Sequence, residues 1–126
     1  FGFVGDVQLE LIEQTNDAPS PYRSFIDGGN EGLQHLGYWV EDHEEACRRV
    51  EAAGYEAEYM IRRPNRPRPV IYYRSPSLLG PMLELVPPEW KRSRKAVLDL
   101  ARNWTGGDPL VRYGTYGEFL TASGVT

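Results

Sequence analysis

The order of elements between residues 32 and 86 constrains the fold of this chain most strongly. Four β-rich runs surround a single segment whose apolar residues recur at helical spacing. The runs cover residues 32–40, 55–61, 70–73 and 82–86, and the helical segment covers residues 43–53. Proline and glycine residues separate the later runs, as is typical of connections between strands. The predicted order is therefore a strand, a helix and three further strands.

The helical segment has clear signals at both ends. Asp42 and Glu45 form a capping-box-like start, and Gly54 stands where a left-handed C-cap is expected. Cys47 lies on the apolar stripe between these ends, so we interpret it as a small core residue rather than a nucleophile. His43, at the start of the helix, is predicted to lie on the surface.

The composition indicates one globular domain. The chain has 126 residues and a formal charge of −4, and no apolar run approaches the roughly 18 residues that span a bilayer. The negative charge argues against nucleic acid or an anionic membrane surface as the main partner. Cys47 is the only cysteine, and no signal-peptide pattern is visible, so we expect a cytoplasmic location.

One pattern occurs twice, a single carboxylate between leucines in a β-rich run. Leu9-Glu10-Leu11 lies within residues 3–12, which are predicted to form one strand, and Leu83-Glu84-Leu85 lies within residues 82–86. Successive side chains of a strand point to opposite faces, so each acid lies on the face away from its leucines. A buried carboxylate requires a paired cation or hydrogen bonds. Glu10 and Glu84 are therefore predicted to face a cavity that holds a cation.

These motifs resemble the vicinal oxygen chelate superfamily, which includes glyoxalase I, methylmalonyl-CoA epimerase, extradiol dioxygenases and bleomycin-resistance proteins. The similar parts are residues 32–42, the helix that ends at Gly54, and residues 80–86. The resemblance implies an α+β fold built from βαβββ modules. It implies one complete module over residues 32–88 and the end of a module truncated at its N-terminal side plus a linker over residues 1–31. Within residues 89–126, the spacing of apolar residues between Trp90 and Asn103 predicts an amphipathic C-terminal helix, and the glycine-rich remainder is predicted to be an irregular arm.

In that family, two modules enclose a metal ion with ligands from the first and last strands of each module. By position, the resemblance implies that His35 and Glu84 are ligands from the complete module and that Glu10 is the last-strand ligand of the truncated one. A fourth ligand is then expected upstream of Phe1. These nitrogen and oxygen donors suit Zn, Ni, Co, Mn or Fe(II). Glu10 and Glu84 are both candidates for the catalytic base, and the sequence does not distinguish them.

Three further residues are candidates for substrate binding. Trp39 shares a strand face with His35, and Met82 shares one with Glu84. Core packing explains Trp39 and Met82 equally well. Tyr72 and its neighbour Tyr73 lie on opposite faces of their strand, so at most one of the two lines a pocket, and Tyr72 is the candidate.

Two functions are compatible with this sequence. The first is a metal-dependent enzyme of the glyoxalase, epimerase or dioxygenase type, whose small substrate chelates the ion through two oxygens. Within that class, Glu10 favours an isomerase or lyase that transfers a proton over an Fe(II) extradiol dioxygenase. The alternative is a metal-free small-molecule binding protein that resembles the bleomycin-resistance branch. In either case, the resemblance implies a homodimer.

Overall fold

The computed structural model describes residues 1–77, 79–108 and 110–122. Its strands are β1 (Gly2–Val4), β2 (Val7–Leu9), β3 (His35–Trp39), β4 (Glu56–Ile61), β5 (Val70–Arg74) and β6 (Met82–Val86). Its α-helices are α1 (Arg23–Asp27), α2 (His43–Ala52), α3 (Lys91–Arg102) and α4 (Tyr116–Ala122), and a short 3-10 helix covers Pro88–Trp90. In these ranges, no helix is long and apolar enough to cross a membrane.

The described residues pack into two compact units. The first, here called the module unit, is Gln14–Glu89. The second, here called the terminal unit, combines Phe1–Glu13 with the described part of Trp90–Thr126. The module unit therefore contains β3, α2 and the three strands that follow, while the terminal unit joins the two ends of the chain.

Helix α2 confirms the prediction for residues 43–53. The Asp42 carboxylate accepts a hydrogen bond from the backbone N–H of Glu45 at 3.0 Å, which satisfies one of the free donors at the start of the helix. Gly54 follows the helix with a φ of +87°, a conformation that glycine adopts without steric cost. Glu45 in the first turn and Arg49 in the last turn also complement the helix dipole.

The module unit is built on a four-stranded mixed sheet in the order β3-β6-β5-β4. β3 runs parallel to β6, whereas β6 with β5 and β5 with β4 are antiparallel pairs. All four predicted strands are present, and their order along the chain with α2 is βαβββ. The predicted α+β fold is therefore confirmed, with α3 as the C-terminal helix.

One face of this sheet packs on α2 and forms the core of the module unit. Its centre is Ile71, Tyr73 and Leu85, which are at most 7% exposed. Cys47 packs against this cluster from α2, so its prediction as a core residue is confirmed. Because side chains alternate along each strand, the neighbours of these residues, including Tyr72 and Glu84, lie on the opposite face.

The N-terminal residues form a hairpin, so the prediction of one continuous strand over residues 3–12 is wrong. β1 and β2 pair antiparallel, and Gly5 turns the chain between them with a φ of +59°. A two-residue Gly-Asp connection between β-rich runs is a known hairpin signal. The second strand ends at Leu9, so Glu10 is not part of a strand. Leu9 and Leu11 are 48% and 99% exposed.

Helix α3 confirms the helix predicted between Trp90 and Asn103. It holds the hairpin turn within the terminal unit through two arginines. Arg94 donates to the backbone carbonyl of Asp6 at 2.6 Å, and Arg102 pairs with the Asp6 carboxylate at 2.5 Å. The two arginines lie two turns apart on one side of α3, so both reach the same turn. Helix α3 thus holds the first hairpin of the chain in place.

The arm after α3 was predicted to be irregular, but residues 116–122 form helix α4. The hydroxyl of Thr115 accepts from the backbone N–H of Glu118 at 3.1 Å, and the Glu118 carboxylate accepts from the N–H of Gly114 at 2.8 Å. These contacts form a capping motif of the Thr-x-x-Glu type. Phe119 is 8% exposed and its ring contacts that of Tyr113 at 5.5 Å. Residues 109 and 123–126 of the predicted arm lie outside the described residues.

Candidate functional site

The face of the sheet away from α2 brings His35 and Glu84 together. The parallel pairing of β3 with β6 places His35 opposite Met82 and Gly37 opposite Glu84. His35 Nε2 lies 3.6 Å from Glu84 Oε2, and the two side chains are only 10% and 16% exposed. Two of the three residues predicted as metal ligands are therefore neighbours on one largely buried face.

Gly37 leaves the space that the Glu84 carboxylate occupies. A β-carbon at position 37 would lie 2.7 Å from Glu84 Oε2, closer than a carbon and an oxygen can approach without displacement. A glycine within a strand marks a place where another group approaches closely. Here that group is the carboxylate of the neighbouring strand, so Gly37 allows Glu84 to lie beside His35.

Gln34 forms a hydrogen-bond network behind His35. Its Oε1 lies 2.6 Å from His35 Nδ1. Its Nε2 donates to the carbonyl of Pro21 at 2.9 Å and to Met82 Sδ at 3.1 Å. The Gln34 carbonyl also accepts from the Met82 N–H at 2.9 Å, which ties this end of β3 to β6. Gln34 was not among the predicted site residues, because a glutamine before a strand has no distinctive pattern.

Two tyrosine rings pack against the His35 imidazole. The Tyr72 ring centroid lies 5.4 Å from that of His35 and crosses it at 72°, while the Tyr22 centroid lies 6.0 Å away. The two hydroxyl oxygens are 3.3 Å apart. Burial raises the pKa of Tyr72, and the negative charge of Glu84 and contacts with Tyr22 act in the same direction. Tyr72 is therefore a neutral phenol that can donate a hydrogen bond.

Tyr22 belongs to residues 19–22, here called the segment before the module because they precede the βαβββ module predicted over residues 32–88. This segment was not predicted to contribute to the site. This segment contacts three strands or their ends. Pro21 accepts from Gln34 beside β3, and Pro19 accepts from the Tyr59 hydroxyl of β4 at 2.8 Å. Tyr22 contacts Tyr72 of β5. Residues 19–22 thus lie against the sheet and place a ring beside His35.

The three residues predicted to bind substrate lie on or near this face. Tyr72 is 2% exposed and contacts His35 directly. Met82 is paired with His35 in the sheet, and its sulfur accepts from Gln34. Trp39 is half-buried, and alternation along β3 places it on the His35 face. The contact of these three residues with a substrate stays a prediction.

Glu10 belongs to the terminal unit, whereas His35 and Glu84 belong to the module unit. The Glu10 side chain is exposed and accepts a hydrogen bond from Gln8 at 2.9 Å. Its assignment as a ligand or base stays a prediction. Within the described ranges, no three His, Cys, Asp or Glu side chains are grouped so that they could hold a metal ion. Of the three residues predicted as metal ligands, the module unit thus contains His35 and Glu84.

His43 is buried, so its prediction as a surface residue is wrong. It is 3% exposed, and its Nδ1 lies 3.8 Å from Cys47 Sγ, one turn along α2. Burial lowers the pKa of His43, while a hydrogen bond with the backbone of Leu85 opposes that shift. A polar residue at the first position of a helix usually faces solvent, but here it bonds to β6. His43 therefore belongs to the packing of α2 on the sheet.

Comparison with known proteins identifies the family. The family model described as Glyoxalase/Bleomycin resistance protein/Dioxygenase superfamily matches residues 1–72. The match includes His35 and reaches Tyr72 of β5, and it ends before the strand that carries Glu84. Neither the curated proteins nor the solved structures gave a match. The matched region is more than half of the chain, and the module unit has the βαβββ order, so the chain belongs to the glyoxalase/bleomycin resistance protein/dioxygenase superfamily.

Proposed function

We propose that the protein is a metal-dependent enzyme in which His35 and Glu84 bind a divalent ion, and that a small oxygenated substrate chelates this ion through two oxygens. The observation that carries this proposal is the 3.6 Å separation of His35 Nε2 and Glu84 Oε2 on a largely buried face. A buried imidazole beside a buried carboxylate is a suitable donor pair for Zn, Ni, Co, Mn or Fe(II). Glu10 is the proposed third ligand.

The proposed reaction is a proton transfer of the isomerase or lyase type. A bound divalent ion would supply Lewis-acid polarisation of two substrate oxygens. The Glu84 carboxylate is a candidate for the base, and Glu10 is the other candidate. Tyr72, a neutral phenol in contact with His35, can donate a hydrogen bond to a substrate oxygen.

A metal-free binding protein is the second candidate, and the aromatic residues favour it. Tyr22 and Tyr72 pack around His35, and Trp39 lies on the same face of the sheet. Such rings bind planar or cationic small molecules through their faces and edges. Of the three predicted ligands, His35 and Glu84 lie in the module unit, whereas Glu10 lies in the terminal unit. Under this alternative, the pair His35 and Glu84 would hydrogen-bond a ligand directly.

Isothermal titration of the metal-free chain with each of the five ions tests the first proposal. We expect one ion per chain, and we expect His35→Ala and Glu84→Gln to weaken binding roughly 100-fold or more. Glu56→Gln is the matched control, because Glu56 is an exposed carboxylate of β4 that pairs with Arg74. Stoichiometric binding that is unchanged by both site variants would exclude the proposed ligands. Thermal stabilisation by planar aromatic compounds in the presence of a chelator, without any metal binding, would favour the second candidate.

A further inference from the structure

We propose that Gln34 is a positioning residue that selects the tautomer of His35. The feature that carries this proposal is a chain of hydrogen bonds from the Pro21 carbonyl through the Gln34 carboxamide to the His35 ring. The carboxamide has three hydrogen-bond partners: the Pro21 carbonyl in the segment before the module, His35 Nδ1 at the start of β3, and Met82 Sδ of β6. None of these contacts belongs to the regular pairing of the sheet.

The partners of Gln34 determine which way its carboxamide points. Proline has no N–H, and a backbone carbonyl can only accept, so the group that faces Pro21 O must be the Gln34 NH₂. The Met82 thioether is also an acceptor, which gives the second amide hydrogen a partner. The remaining atom, Oε1, therefore faces His35 Nδ1 at 2.6 Å.

This orientation dictates the protonation pattern of the neutral imidazole. Oε1 can only accept, so His35 Nδ1 must carry the proton and donate it. The other tautomer would bring the Nδ1 lone pair within 2.6 Å of the Oε1 lone pairs. With the proton on Nδ1, the lone pair is on Nε2, the ring nitrogen that lies 3.6 Å from Glu84 Oε2. Isolated neutral histidine prefers the opposite tautomer, with the proton on Nε2.

The consequence for metal binding rests on the proposed function. A ligand imidazole must present a nitrogen lone pair, and a hydrogen bond from its other nitrogen commonly fixes it in that state. Gln34 would provide this bond, so Nε2 is prepared to bind an ion without proton rearrangement. The segment that contributes Tyr22 also contributes the Pro21 carbonyl, so the same segment orients the ring and packs on it.

Nitrogen-15 NMR of the metal-free full-length chain at alkaline pH tests the tautomer directly. Long-range proton–nitrogen correlations distinguish a protonated Nδ1 from a protonated Nε2. We expect His35 to carry its proton on Nδ1 in the wild-type protein and to move toward the Nε2–H form in Gln34→Leu. A wild-type His35 with its proton on Nε2 would overturn the proposal, and so would an unchanged tautomer in a folded Gln34→Leu variant.

Two further variants separate positioning from packing. Gln34→Glu loses the NH₂ that donates to Pro21 but keeps an oxygen that can accept from Nδ1, so we expect it to retain the Nδ1–H form. Gln14→Leu is the matched control, because Gln14 bonds to Asn16 and Ala18 of the segment that leads to Pro21 but does not contact His35. We expect this control to keep the wild-type tautomer. Loss of the Nδ1–H form in Gln14→Leu would show that general loosening of the segment, and not Gln34, sets the tautomer.

Metal titration of the same variants tests the consequence separately. Gln34→Leu is expected to weaken ion binding roughly 10- to 100-fold, with Gln14→Leu close to wild type. An Nδ1–H tautomer in a protein that binds no ion would support the role of Gln34 and contradict the metal-dependent function. An Nε2–H tautomer in a protein that does bind an ion would contradict the role of Gln34 alone.

Discussion

Gly37 and Glu84 occupy paired positions on β3 and β6, and a β-carbon on Gly37 would lie 2.7 Å from Glu84 Oε2. We therefore predict that Gly37→Ala moves the carboxylate away from His35. The atom that must move is the end of a flexible side chain, so the fold should persist. We expect ion affinity to fall roughly 10- to 100-fold in an isothermal titration, because the ligand is displaced rather than removed.

Gly2→Ala is the matched control for this substitution. Gly2 lies in a strand, and a β-carbon there would meet nothing within 4 Å. Both variants replace a strand glycine by a residue that restricts the unfolded chain more, so both share that contribution to stability. Equal ion affinity in the two variants and the wild type would show that the space at Gly37 has no bearing on Glu84.

Buried His43 predicts a pH dependence of stability. Because burial lowers its pKa below the usual 6.5, the unfolded chain takes up a proton before the folded chain does as pH falls. Stability should be highest above that value and should fall toward acid pH, by up to about 1.4 kcal/mol per pH unit within the window between the two pKa values.

Urea unfolding of wild-type and His43→Gln proteins between neutral and mildly acidic pH measures this effect. The variant loses a titrating group but keeps a side chain that can donate to the backbone of Leu85. We expect its stability to vary less with pH than that of the wild type, whatever its stability at alkaline pH. Parallel curves for the two proteins would show that His43 does not titrate on unfolding.

The capping contact at α4 predicts a local stability effect. Thr115→Ala removes the hydroxyl that accepts from the Glu118 N–H, and loss of such a cap costs about 1 kcal/mol. Thr115→Ser keeps the acceptor and should be close to wild type. Hydrogen exchange of the α4 amides is the appropriate measurement, because the effect is local. Equal exchange rates in the two variants would exclude a capping role for Thr115.

The proposed role of Glu10 as a metal ligand is tested separately, because Glu10 lies in the terminal unit. If it is the third ligand, Glu10→Gln weakens ion binding by a factor comparable to that of Glu84→Gln. Glu13→Gln, an exposed carboxylate of the same N-terminal segment, is the control. Unchanged ion affinity in Glu10→Gln would remove Glu10 from the proposed ligands. The assignment of His35 and Glu84 would not change.

Much of the module could be predicted from the sequence, because its signals are local. Asp42 and Gly54 mark the ends of α2, and alternation places Glu84 and Leu85 on opposite faces of β6. The Gly5-Asp6 turn and the Thr-x-x-Glu motif at Thr115 were local signals as well. They were outweighed by the apolar run of residues 3–12 and by the glycine content of the C-terminal arm.

The partners of His35 could not be predicted in the same way. The family resemblance implied that His35 and Glu84 are both ligands, but their distance depends on the parallel pairing of β3 with β6, which the spacing of residues in the sequence does not predict. Gln34 and Tyr22 act through contacts with Pro21 and Tyr72, and no periodic pattern marks such contacts. The burial of His43 likewise depends on how closely α2 packs on β6.

Paramagnetic broadening by Mn²⁺ tests the central claim most directly. The labelled full-length chain would be titrated with substoichiometric Mn²⁺ while the histidine ring and glutamate side-chain signals are recorded. The chain has two histidines, and His43 lies on the α2 side of the sheet, so it is an internal control. We predict that the His35 ring and the Glu84 carboxylate broaden first and together. Broadening that is centred on exposed acids such as Glu44 and Glu45, with His35 unaffected, would contradict the proposed site.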